Sequence, residues 1–86
     1  MLLILGLGYA GRAVAAAARD AGYAVAATSR NGTSGTVAFP EAVPAIARAT
    51  HLLTTIPPDA AGDPVLARHA EAIAAAAELC WIGYLS

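Results

Sequence analysis

Three glycines carry the chemistry that can be read from this 86-residue chain. Gly6, Gly8 and Gly11 stand in Gly6-Leu7-Gly8-Tyr9-Ala10-Gly11, the G-x-G-x-x-G spacing that cradles a diphosphate when it follows a strand and opens a helix. Gly6 permits the tight turn, Gly8 lets a pyrophosphate approach the backbone, and Gly11 lets the helix pack closely on the strand. Tyr9 and Ala10 lie between them, where the free N–H groups and positive end of a helix dipole meet the phosphates, and they count with the glycines as binding residues.

Two further stretches fit the same ligand. Ser29 and Arg30 follow a second apolar segment, where a dinucleotide-binding fold reads the adenosine ribose. An acid there would bond the 2′-hydroxyl, whereas an arginine pairs with a 2′-phosphate; this chain has no acid there, which favours NADP and leaves NAD possible. The plain alternative is a solvated loop arginine. Thr54, Thr55 and Ile56 end a fourth apolar segment, at the carboxyl end of a strand that would face the cofactor cleft and could wall the nicotinamide ribose. Equally, the threonines are ordinary strand formers and Pro57-Pro58 an ordinary breaker.

These residues require a parallel sheet to hold them. Residues 2–5 form an unbroken apolar run, as expected of a strand buried on both faces. A helix is predicted over residues 13–21, with Gly22 as its C-terminal cap, then a strand over 23–28 reached by a right-handed crossover. A polar turn over 31–35 leads to a short strand at 36–39, stopped by Pro40. A short helix over 41–49 follows, with Val43, Ile46 and Ala47 as its apolar stripe. The fourth strand covers 51–56. Asp63 as N-cap and Pro64 in the first turn open a helix reaching about Leu79, with Leu66, Ala70, Ile73 and Ala77 facing the sheet. The last strand is 80–86, an apolar edge left without a following helix. His51 is placed away from the chemistry and His69 on the helix surface. Cys80 is expected to be a small buried hydrophobe.

Composition narrows the class. At 58% hydrophobic and 13% charged, with a net charge of −1, the chain has no basic patch for nucleic acid or a membrane surface. Its apolar runs fall short of the roughly 18–20 residues of a membrane span. One cysteine and the absence of clustered ligands exclude a disulfide framework and a metal site. Met1 leads straight into the first strand without a signal-like charged region, so a cytoplasmic protein is expected. Residues 1–86 make one domain, and nothing indicates an oligomeric state.

The alternation of strands and helices behind the glycine turn resembles the first half of a Rossmann domain, α/β with a three-layer parallel sheet in the order 3-2-1-4-5. Within that superfamily the chain resembles the short-chain dehydrogenase/reductases of the extended and atypical NAD-dependent epimerase/dehydratase type. Gly6 to Gly11, Thr28-Ser29-Arg30, His51-Leu52-Leu53-Thr54-Thr55 and Trp81-Ile82-Gly83-Tyr84-Leu85-Ser86 carry the resemblance. It implies hydride transfer with NAD(P) on a small-molecule substrate, a Ser/Thr-rich stretch after the fifth strand, and then a Tyr-x-x-x-Lys pair. Ser86 would begin that stretch, Tyr84 has no lysine partner, and the chain contains no lysine at all. Phe39-Pro40 stands where the family has an acid near the adenine. No residue here is therefore assigned a catalytic role. The expectation is the cofactor-binding portion of a longer oxidoreductase or epimerase, with an incomplete sheet and no turnover alone. Three other readings remain: a non-catalytic nucleotide sensor, another Rossmann dehydrogenase, and a domain whose glycines serve packing only.

Overall fold

The computed structural model describes residues 1–33 and 35–85. Ser34, in the expected polar turn, and Ser86, expected to begin the Ser/Thr-rich stretch, lie outside the described residues. The elements run β1 (Leu2–Leu5), α1 (Tyr9–Asp20), β2 (Val25–Ser29), β3 (Val37–Ala38), a 3-10 turn (Phe39–Glu41), α2 (Val43–Arg48), β4 (His51–Thr54), α3 (Pro64–Ala75) and β5 (Trp81–Tyr84). All strand pairs are parallel, in the order β3-β2-β1-β4-β5. This is a Rossmann-like α/β fold with the expected strand order.

The central strand explains the layers. Every residue of β1 is buried. Leu3 and Leu5 join Leu52, Ala42, Ala45, Ile46, Ala49 and Val65 in the core beneath α2 and α3. Leu2 and Ile4 join Ala15, Ala27 and Leu53 beneath α1. Alternation along one apolar strand thus feeds two cores on opposite faces of the sheet.

Several boundaries differ from expectation for identifiable reasons. Helix α1 starts at Tyr9 and takes Gly11 inside it. At its end Gly22 adopts φ +93 and the Tyr23 N–H donates to Ala18 O at 3.0 Å. That closing bond uses the Tyr23 amide, so β2 begins at Val25 instead of residue 23. Strand β3 has two residues because Phe39 already turns into the 3-10 segment ahead of α2.

The buried stripe of α2 comprises Ala45 and Ile46, flanked by Ala42 and Ala49, while Val43 and Ala47 are exposed. Alanines on the inner side let α2 lie close to its neighbours. In α3 the inward face is Val65 and His69, backed by Ala72 and Ile73 and by Ala76 just past its end; Leu66 and Ala70 face outward, and Ala77, expected on the inner face, lies exposed beyond the helix. The helix stops at Ala75, since Ala76 is extended at φ −73, ψ 100.

His69 is the reason the phase shifts. Only 1% exposed, it donates from Nε2 to Phe39 O at 2.7 Å and meets the Phe39 ring edge-on at 4.7 Å. The expected surface histidine is thus a core residue tying α3 to the turn before α2. Its Nδ1 is buried without a partner among the described residues. His51, by contrast, is half-buried at the amino end of β4, bonded to the Thr50 hydroxyl at 2.8 Å and touched by Tyr23.

The two sheet edges are unlike. Strand β3 is short and followed closely by Pro40. Strand β5 carries Trp81, Ile82 and Tyr84, all about half exposed. Cys80 is exposed beside it, with its thiol on Thr50 O, because an edge strand has nothing outside it to bury the side chain. An apolar groove of about 350 Å³ between α1 and β5, lined by Val14, Tyr23, His51 and Trp81 among others, lies at the amino ends of the strands, opposite the glycine turn. Among the described residues no helix is long and apolar enough to cross a membrane.

Candidate functional site

The carboxyl ends of β1, β2 and β4 are adjacent in the sheet, and the predicted site residues converge there. Gly6 leaves β1 with φ +94, a conformation that disfavours any side chain. Its N–H donates to Thr28 Oγ1 at 3.0 Å, while the hydroxyl of Thr55 donates to Gly6 O. The main chain repeats this grip: Leu7 N–H reaches Thr28 O at 2.9 Å and Thr55 N–H reaches Leu5 O at 3.0 Å. The glycine turn is therefore held from both neighbouring strands.

The three glycines have different physical reasons to be glycine. A Cβ on Gly6 would stand 2.8 Å from both Ile56 Cγ1 and Thr55 Oγ1. A Cβ on Gly11 would stand 2.8 Å from Gly6 O and 3.4 Å from Ile4 Cγ2. Gly8 is in extended backbone at φ −94, ψ −160, and a Cβ there would meet nothing within 4 Å. The protein itself needs Gly6 and Gly11. It makes no demand on Gly8, in front of which the space is open.

Gly8 is also the N-cap of α1, with no side chain capping the helix. The first amides of a helix have no partner inside it, which leaves those of Tyr9, Ala10 and Gly11 as donors at this end of α1. Tyr9 is 96% exposed at the rim. Such an array of backbone N–H groups at a positive dipole end suits an anion.

The other predicted residues divide. Thr54 is buried and its hydroxyl accepts from Ile56 N–H at 3.2 Å, closing the turn after β4, while Ile56 lies over Gly6. Thr55 and Ile56 thus meet the glycine turn directly. The Ser29 hydroxyl accepts from Gly32 N–H at 3.0 Å and Thr33 N–H at 3.2 Å and pairs with the Thr36 hydroxyl, so it shapes its own loop. Arg30 is exposed just past β2, with its guanidinium at the surface. A cleft of about 250 Å³ between α1 and the β2–β3 loop is lined by Leu7, Arg12, Arg19 and Thr36 among others, adding two cations on that side.

Sequence reasoning missed the part played by Thr28. The available signal was a hydroxyl at the last positions of a strand beside a glycine turn, with both donor and acceptor capacity to hold a loop.

The fold is shared with a solved structure. The chain is similar to a functionally unknown conserved protein from Silicibacter pomeroyi DSS, with a TM-score of 0.83 and 38% identity over 99% of this chain. It spans 34% of that protein's length. No protein-family model and no curated protein matches the chain.

Proposed function

We propose that these 86 residues form the dinucleotide-binding portion of an oxidoreductase or epimerase of the short-chain dehydrogenase/reductase type, with NADP as the favoured cofactor and NAD as the alternative. The observation that carries this reading is Gly8. Packing accounts for Gly6 and Gly11, but a glycine bordered by empty space at an uncapped helix start is accounted for by a ligand that must come within backbone distance.

In this reading the diphosphate lies against the amides of Tyr9, Ala10 and Gly11, and Ile56 borders the cleft on the β4 side. Arg30 pairs with the 2′-phosphate, and Arg12, in the first turn of α1, adds positive charge to the neighbouring cleft, which has no carboxylate among its described lining residues. The cofactor supplies the hydride; this portion binds and orients it. The chain has no lysine for a Tyr-x-x-x-Lys pair, so no catalytic role falls to these residues. The same absence suits a nucleotide sensor, which needs the cradle without the hydride chemistry.

Calorimetric titration with NADPH and NADH tests the reading. Binding of NADPH in preference to NADH, lost on Gly8→Ala with the fold retained, is the expected result. A folded wild-type chain that binds neither cofactor would remove it in favour of the packing-only domain.

A further inference from the structure

We propose that Thr55, with Thr28 opposite it, is a positioning residue that prepares the glycine turn for an anion by quenching the Gly6 carbonyl. The inference rests on the dinucleotide reading above and concerns residues that would not touch the cofactor's phosphates themselves.

The peptide groups of Gly6 belong to the turn that leads into the helix start, with Gly6 O facing Gly11 in the first turn of α1, and in the dinucleotide reading the diphosphate lies against that helix start. A carbonyl oxygen with a free lone pair there would oppose a diphosphate, whose charge is of the same sign. Gly6 O instead accepts two hydrogen bonds, one from Gly8 N–H at 3.0 Å and one from the Thr55 hydroxyl. The Gly6 N–H is taken by Thr28 Oγ1. Both polar ends of the residue are thereby satisfied within the protein, and the donors left facing outward are those of the helix start.

The arrangement needs a hydroxyl at position 55. Its oxygen crowds the position a Cβ on Gly6 would take, and a side chain of this size needs an O–H to donate to that carbonyl. Valine matches threonine in outline but leaves Gly6 O with one bond and a negative dipole near the anion. Serine retains the donor. The charge argument separates this role from ordinary support of the fold: the effect should fall on the diphosphate and spare a ligand half that lacks one.

The experiment compares the wild-type chain with Thr55→Val, Thr55→Ser and Thr28→Ser, titrating each with NADPH and with 2′-AMP and recording urea midpoints. Thr55→Val is expected to weaken NADPH about tenfold, through repulsion between the unquenched Gly6 carbonyl dipole and the diphosphate, and to leave 2′-AMP within about twofold. Both serine variants are expected to bind as wild type. The proposal is overturned if Thr55→Val binds NADPH as wild type does, if it loses both ligands equally, or if Thr55→Ser fails to restore binding. A wild-type chain that binds neither ligand overturns the dinucleotide reading and this proposal with it; a wild-type chain that binds NADPH beside an unaffected Thr55→Val overturns this proposal alone.

Discussion

The carbonyl oxygen of Gly6 sits where a side chain on Gly11 would have to go, 2.8 Å from the Cβ that any other residue would bring. The oxygen belongs to main chain gripped from two strands, so it has little freedom to withdraw. Gly11→Ala should therefore push α1 off the turn and destabilise the chain by about 1–3 kcal/mol, as overpacking of a tight site does. Gly8→Ala, in open space, should change stability by no more than about 1 kcal/mol, the scale of an N-cap preference. Urea unfolding of the two variants side by side checks the contrast, and equal destabilisation would contradict it.

Arg30 is exposed, so its expected contribution is electrostatic and screened by salt. Arg30→Ala should weaken NADPH about tenfold at low ionic strength, less at high, and leave NADH unchanged, since only NADPH offers the charge-assisted bond. Isothermal titrations with both cofactors at two salt concentrations decide it. An unchanged NADPH-to-NADH ratio would assign Arg30 to solvent.

His69 ties α3 to the turn before α2 through a bond to Phe39 O at 2.7 Å within the core. His69→Ala removes the ring and leaves that carbonyl without this partner, so a loss of about 2–4 kcal/mol is expected from cavity and unpaired acceptor together. A denaturation midpoint close to that of wild type would show that α3 is held by Val65 and its alanines alone.

Strand β5 presents half-exposed Trp81, Ile82 and Tyr84 on an unpaired edge. Such edges recruit other strands. The 86-residue chain should associate increasingly with concentration, and Ile82→Lys should lower that tendency. Sedimentation velocity over a range of concentrations measures both, and a wild-type chain that stays monomeric throughout would show that the twist of β5 or its side chains already shield the edge.

The strand order and the meeting of the glycine turn with Thr55 and Ile56 were legible because each depends on local signals: an apolar run, a glycine spacing, paired prolines. The phases of α2 and α3 were not. Both helices are rich in alanine, which marks neither an inner nor an outer face, and the one polar inward residue of α3, His69, counts against its own side in any hydrophobic periodicity. The surroundings of Cys80 and the uses of Thr28 and Ser29 were hidden for another reason. Hydroxyl and thiol partners are fixed by which strands become neighbours, and a pattern of residue types carries no distances.

The position of β1 has a consequence for synthesis. Of these five strands β1 is made first and is the central one, paired with residues 25–27 on one side and 51–54 on the other. At about 5–20 residues per second, translation keeps Leu2, Leu3, Ile4 and Leu5 waiting several seconds for the second of those partners. During that interval the most apolar segment of the nascent polypeptide has one open side, and a chaperone that binds short aliphatic stretches would find it there before the sheet does.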